Sequence, residues 1–217
     1  MTYKIDGTCV PVEFLVMGML QNNVYIVDDG AGCFVVDPTG YADQIVEALA
    51  GRSLDAIVLT HAHFDHVGGA KDLRDATGAQ VIAHEIDAPF ITGERQLEPG
   101  HTGFEPCPVD RTVSDGDVFE LGNMRWRVLH TPGHTPGSMC LFLDAQHGVD
   151  ANKPPVLLSG DTLFCGAHGR TDFTGGSPAD MRASLARLST LPSETVVLPG
   201  HNNITTIADE SWIASFA

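Results

Sequence analysis

Positive charge is what this 217-residue chain has least of: 12 Lys and Arg stand against 28 Asp and Glu, a formal net charge of −16. Such an acidic surface repels phosphate backbones and anionic bilayers, which argues against nucleic acid and membranes as partners. Anionic small molecules stay admissible, because bound metal ions reverse a field locally. Long hydrophobic runs are also missing, and none approaches the ~20 residues of a membrane-spanning helix. The opening Met1-Thr2-Tyr3-Lys4-Ile5-Asp6 has no basic stretch leading into an apolar one, so no secretory leader is expected. The five cysteines are scattered and odd in number: Cys9, Cys33, Cys107, Cys140 and Cys165 form no Cys-x-x-Cys pair. Free thiols in a reducing cytoplasm fit that pattern better than disulfides.

What is present is globular. Hydrophobic residues make up 43% and charged ones 18%, enough for one sizeable core, and neither a linker nor a repeat divides residues 1–217. Short apolar runs alternate with Gly, Asp or His turns. Phe14–Met19, Val24–Val27 and Cys33–Val36 read as opening strands, and Asp37-Pro38-Thr39-Gly40 as a break. Helical spacing covers Tyr41–Ala50, a β-rich run Ala56–Leu59, a helix Gly69–Ala76, a strand Gln80–Ala83 and a short helix Glu85–Ile91. Thr92–Asp110 lacks periodicity and is either a lid or an ordinary surface excursion. Val118–Leu121 and Met124–Leu129 flank the hairpin signal Gly122-Asn123. Met139–Leu143 and Val156–Leu158 are strands separated by a polar loop, Asp144–Pro155. Ser177 caps a helix over Pro178–Leu188, and Thr195–Leu198 is the last expected strand. Mixed strands and helices point to an α/β sandwich of layers.

Four of these strands end alike. Ile57-Val58-Leu59-Thr60 runs into His61-Ala62-His63-Phe64-Asp65-His66, Val128-Leu129 leads on to His134, Val156-Leu157-Leu158 to Asp161, and Val196-Val197-Leu198 to His201. Each delivers a metal-ligand residue type beyond a carboxyl end, where ligands gather in α/β proteins. Residues two apart in an extended turn project to one side, so His61 and His63 can grip one ion while Asp65 and His66 turn toward a second. Asp161 could bridge through its two oxygens. Imidazole and carboxylate suit zinc, and iron or manganese less exclusively. Random order would yield His-x-His-x-Asp/Glu-His roughly 0.003 times per chain, so chance is a minor worry. Satisfied polar turn residues are the plain alternative, but burying that many imidazoles without metal is costly.

Taken together, His61-x-His63-x-Asp65-His66, His134 in Thr131-Pro132-Gly133-His134-Thr135, Asp161 in Gly160-Asp161-Thr162-Leu163-Phe164 and His201 after Pro199-Gly200 resemble the signature of the metallo-β-lactamase-fold superfamily. The likeness runs from about Val16 to Ile207. It implies a four-layer αβ/βα sandwich, classed α/β (α+β), with the site at one edge. It also implies one metal on His61, His63 and His134, another on Asp65, His66 and His201, and Asp161 between them. Zinc β-lactamases lack a bridging Asp at the Asp161 position and are usually exported, which speaks against antibiotic hydrolysis. Gly169-Arg170-Thr171-Asp172-Phe173 and Gly175-Gly176 look most like the short, single-domain members of the glyoxalase II group, the hydroxyacylglutathione hydrolases. With Ala217 soon after His201, the helical domain of the long members is not expected. It departs from them at Asn202-Asn203, where many carry Gly-Pro, and in the acidic stretch Ile207–Trp212, where theirs is basic.

The reaction implied is hydrolysis of a small-molecule thioester by a hydroxide held between two divalent ions, with Asp65 and Asp161 as the catalytic carboxylates. A thiolate leaves easily, so no strong general acid is needed. A persulfide dioxygenase with a single iron shares the fold and the Gly-Arg-Thr-Asp-Phe string, and lactone, phosphodiester or β-lactam hydrolysis could run on the same ligands. A metal-binding module without turnover is a further alternative. Arg170 is expected to hold a substrate carboxylate, or else to pair with Asp172. Phe164, with Phe64, would line a pocket unless core packing claims them. Cys165 is expected to be buried and inert. His84, His101, His130, His147 and His168 lie outside the motifs, with His168 nearest the site.

Overall fold

The computed structural model describes residues 2–96 and 103–216. Strands β1 (Tyr3–Ile5), β2 (Val12–Met17), β3 (Asn22–Asp28) and β4 (Cys33–Val36) form an antiparallel meander. After helix α1 (Ala42–Leu49) the same sheet continues in parallel through β5 (Ala56–Leu59), β6 (Gln80–His84) and β7 (Arg111–Val113). Helices α2 (Phe64–Val67), α3 (Ala70–Thr77) and α4 (Ala88–Ile91) lie in the connections. A second sheet begins with β8 (Val118–Leu121), β9 (Met124–His130), β10 (Met139–Leu143) and β11 (Val156–Gly160). A hairpin, β12 (Leu163–Phe164) and β13 (Ala167–His168), and helix α5 (Pro178–Leu188) follow. Strands β14 (Val196–Pro199) and β15 (Thr205–Thr206) then complete that sheet in the order β15-β14-β11-β10-β9-β8.

The burial pattern explains the layering. Every residue of β4, β5, β10 and β11 is buried, as expected of strands covered on both faces. Between the sheets Phe34 meets Trp126 edge-on, centroids 5.3 Å apart, within a core that includes Val36, Val58, Leu141 and Leu158. Outside the first sheet α1 and α3 cover Val35, Ile57 and Val81. Outside the second, α5 applies Met181, Leu185 and Leu188 to Leu129, Phe142 and Leu157. Helix α5 starts where Ser177 accepts a bond from the Asp180 N–H and Pro178 occupies the first turn. The result is the four-layer αβ/βα sandwich.

At one end the two sheets are stitched together. The Asn23 N–H donates to Gly200 O at 2.8 Å, the Tyr25 hydroxyl to Pro199 O at 2.8 Å, and the Met139 N–H to Thr60 O at 3.0 Å. Those bonds join β3 to the end of β14 and β10 to the end of β5, while β11 lies alongside β14 in the second sheet.

Several elements differ from expectation. The strand expected over Phe14–Met19 runs over Val12–Met17, because Gly18 (φ 73°) and Gln21 (φ 54°) turn the chain. The short helix expected from Glu85 starts only at Ala88. Thr195–Leu198 is followed by one more strand, β15, and the loop Asp144–Pro155 contains a 3-10 turn at Ala145–His147. Of the aperiodic stretch Thr92–Asp110, residues 97–102, with His101, lie outside the described residues. No helix among the described residues is long and apolar enough to cross a membrane.

Candidate metal centre

Four loops converge at the stitched edge. The loop after β5 carries His61, then His63, whose extended backbone (φ −73°, ψ 146°) precedes the single turn of α2 bearing Asp65 and His66. His134 follows β9, Asp161 follows β11 and His201 follows β14. Donor atoms of His61, His63 and His134 lie within 4.8 Å of one another, and so do those of Asp65, His66 and His201. Asp161 sits between the groups: its Oδ1 is 3.3 Å from His66 Nε2, and its Oδ2 is 3.4 Å from His134 Nε2 and 3.6 Å from His201 Nε2. Gly200 leaves the room this needs. A Cβ there would stand 2.5 Å from Asp161 Oδ1 and 2.7 Å from His66 Cε1.

A ring of polar groups behind these residues aims them. Asp37, directly after β4, accepts from the Thr60 N–H at 2.8 Å, the Thr60 hydroxyl at 2.6 Å and His66 Nδ1 at 2.9 Å. A carboxylate only accepts, so the Thr60 proton belongs to Asp37, and Thr60 Oγ1 must accept from His61 Nδ1 at 3.0 Å. That fixes the His61 tautomer and leaves a bare lone pair on its Nε2, which is buried and has no hydrogen-bond partner. His134 Nδ1 donates to Arg170 O at 2.7 Å and His201 Nδ1 to Leu20 O at 3.1 Å. In four of the five histidines, then, Nδ1 is anchored and Nε2 is turned inward, the arrangement that outer-shell acceptors impose on metal-binding imidazoles. His63 is the exception, its Nδ1 lying 2.8 Å from His134 Nε2. With Nδ1 of His134 protonated, that contact needs a proton or a cation between the two nitrogens.

Asp37 is also within 4.8 Å of donor atoms of His61 and His66, but with both oxygens engaged it orients ligands and does not stand in for one. Asn22 Nδ2 donates to Asp65 Oδ2 at 2.9 Å. Asp87 ties two ligand loops together, accepting from the Ala62 N–H at 2.9 Å, the Thr135 hydroxyl at 2.7 Å and the Gly137 N–H at 2.8 Å. None of Asp37, Thr60, Asn22 and Asp87 stands out in the sequence. The one available signal was the position of Asp37 just past an all-apolar strand.

Charge in the cluster is unevenly held. Burial, reinforced by neighbouring imidazoles, pushes His61 well below the ordinary histidine range and takes His63 down to about 3. His66 is the opposite: burial disfavours its proton, yet Asp161, Asp37 and Asp65 together raise it to about 10. Asp65 stays well below the usual carboxylate range despite burial, through its bond with His201 and the charge on His66. Three carboxylates around one imidazole hold positive charge there, and a dication would supply it with the imidazole left neutral. The orphaned His61 Nε2, and an Asp161 Oδ1 with no hydrogen bond of good geometry, complete a donor set that fits two divalent ions.

The cluster opens into a cavity of about 630 Å³ lined by His63, Asp65, His134, Asp161 and His201 together with apolar side chains. Phe164, Phe64, His168 and Arg170 also line it. The Arg170 fork is bonded to Asp172, Nε at 2.9 Å and Nη2 at 2.7 Å, and its guanidinium lies 4.2 Å from the Phe173 ring centroid. Cys165, expected to be buried, is exposed, because it falls at the turn between β12 and β13, where neither sheet covers it. His84 and His130 stack on each other at 4.3 Å, outside the cluster.

A sequence profile of the Metallo-beta-lactamase superfamily matches residues 17–201. Hydroxyacylglutathione hydrolase GloC of Haemophilus influenzae is 29% identical over 207 residues, covering 92% of this chain and 94% of that one. Among solved structures, the BLEG-1 B3 metallo-beta-lactamase superposes with a TM-score of 0.79 at 32% identity, covering 92% of this chain and 95% of that one. TTHA1623 in a di-iron-bound form does so with a TM-score of 0.74 at 35% identity, covering 91% and 96%.

Proposed function

The chain belongs to the metallo-β-lactamase superfamily, as a metallo-hydrolase, and on that premise we propose that it hydrolyses a thioester of the hydroxyacylglutathione type. The observation that carries the reading is the pair of three-donor groups joined by Asp161 at the floor of an open cavity. His61, His63 and His134 would hold one divalent ion, and Asp65, His66 and His201 a second, with Asp161 shared. Zinc suits these donors first, and iron or manganese also. Bound there, the ions would supply a water ionised near neutral pH and Lewis-acid polarisation of the carbonyl.

The rest falls to the chain itself. Asp37, Thr60, Asn22 and Asp87 hold the donors so that nothing reorganises when substrate arrives. Asp65 and Asp161 face the cavity, and they are the groups to which the proton released by water addition would pass. A thiolate departs without protonation, so the leaving group needs no general acid. The likeness to GloC supports the thioester, and Phe164 and Arg170 are the proposed substrate contacts. For Arg170 to take a substrate carboxylate, that carboxylate must displace Asp172.

The deciding experiment is metal analysis of the purified protein followed by a panel holding S-lactoylglutathione, a neutral thioester, a lactone and a β-lactam. Two equivalents of metal and preference for thioesters support the reading. A single iron with oxygen uptake on glutathione persulfide replaces it with a dioxygenase, and preference for the lactone or β-lactam replaces the substrate.

A further inference from the structure

The cavity is walled by aromatic rings that no one part of the chain supplies. Phe64 (in α2), Phe90 (in α4), Phe104 (between α4 and β7), Phe164 (in β12) and Phe173 (between β13 and α5) all line it. This wall starts at the candidate ligands themselves. The Phe173 ring is 5.5 Å from that of His63 and 6.2 Å from that of His134, and Phe164 is 5.9 Å from His201. At the mouth Phe64 is 48% exposed and Leu20, on the β2–β3 turn, 53% exposed. Apolar side chains kept half in water around a cavity mark surface that a ligand covers.

Charge offers less. Arg170 is bonded to Asp172 and its guanidinium lies over the Phe173 ring at 4.2 Å, so at the wall it extends the aromatic surface. The other described arginine lining the cavity is Arg95, while Asp65 and Asp161 lie at its floor. A small hydroxylated acyl group such as lactoyl would leave the rings against the ligands uncovered.

We propose that the substrate's acyl group is large and apolar, with an aryl or branched alkyl substituent where lactoyl carries a methyl. The proposal rests on the thioester reading above and narrows it. The rings of Phe173 and Phe164 lie about one ring's width from the imidazoles of His63, His134 and His201, so a carbonyl held at those residues brings its nearest substituents against them, and of its two sides we assign the acyl side to the rings. Burying a phenyl in place of a methyl is worth at least about tenfold in transition-state binding.

The test uses the metal-loaded protein on S-mandeloylglutathione and S-lactoylglutathione, which differ in that one substituent, each rate divided by the thioester's hydroxide-catalysed rate. The expected kcat/KM ratio is at least about tenfold in favour of mandeloyl. Phe173→Leu and Phe164→Leu, which remove the rings beside His63, His134 and His201, should, with metal content verified, each pull the ratio toward one. Calorimetry on the inert thioethers S-(2-phenylethyl)glutathione and S-propylglutathione should give the same order of Kd without turnover. Equal ratios and equal Kd values overturn the proposal and leave thioester hydrolysis standing. So does a gain that follows the thiol, read from acetyl thioesters of N-acetylcysteamine and of an aromatic thiol. If no thioester is hydrolysed, the reaction reading falls, and the thioether pair still decides whether the cavity selects an apolar group.

Discussion

Thr60→Val replaces a hydroxyl with a methyl of the same shape at a position 1% exposed. Packing and the backbone bond from Thr60 to Asp37 survive, so the loss is confined to the hydroxyl's two contacts, to Asp37 and His61. Two buried hydrogen bonds cost about 1–3 kcal/mol of folding stability, which a domain of this size tolerates. The diagnostic effect is on metal. Without the hydroxyl, nothing holds the His61 proton on Nδ1, and the imidazole is free to take the tautomer that blocks Nε2. Outer-shell losses of this kind weaken metal binding about 10–100-fold, or about 1.4–2.7 kcal/mol. The loss should fall on the ion of His61, His63 and His134. The other group keeps the Asp37 bond to His66 Nδ1 at 2.9 Å and should change far less. Competition against a zinc-binding dye, read as two stepwise affinities, makes the measurement. Thr60→Ser is the control, since it restores the hydroxyl and should restore the affinity. The reasoning is refuted if both affinities fall equally, if neither falls, or if Thr60→Ser is as weak as Thr60→Val.

Asp161→Ala should weaken both metals and cut turnover by orders of magnitude, whereas Cys165→Ala, at an exposed turn, should change neither; the reverse pattern in metal analysis and kinetics would replace the scheme with a thiol nucleophile. Arg170→Ala should raise KM for an anionic thioester a few-fold with kcat nearly unchanged, and Asp172→Asn, which frees the fork, should lower KM for that substrate. An equal effect on a neutral thioester would make the pair structural. Burial, helped by the stacked His130, lowers His84 to about 4. The unfolded chain therefore binds a proton that the folded chain refuses between pH 6.5 and about 4, and stability drains away as pH falls through that window. Denaturant midpoints of wild type and His84→Gln should converge toward pH 4, and parallel curves would contradict the assignment.

Legibility in the sequence followed pattern length. The strands Val24–Val27, Cys33–Val36, Ala56–Leu59 and Met139–Leu143 are visible because burial on both faces demands an unbroken apolar run. Strands β1 and β7 are edges of three residues with mostly exposed side chains, and β12, β13 and β15 have two residues each. Their partners across the sheet define them, and no periodicity fits into so few positions. Bounds failed where a turn is set by backbone shape, as at Gly18 and Gln21, which end β2 two residues early.

The site shows a subtler limit. One rule, that a polar residue just beyond an apolar strand is a candidate, picks out His61, His134, Asp161 and His201. Applied evenly it also takes Asp37 after β4 and His84 at the end of β6. The first is part of the centre and the second is not, and no residue-level property separates them. What separates them is partnership. Asp37 shares its oxygens with Thr60 and His66, and through Thr60 reaches His61. His84 accepts one backbone N–H, at 3.3 Å, and stacks on His130, away from every donor in the centre. Thr60 is more hidden still, since its role depends on which neighbour takes its single proton. A ligand is a residue type at a place along the chain and can be read from sequence. The group that aims it is defined by hydrogen-bond direction, which exists only once the β4, β5 and α2 ends are side by side.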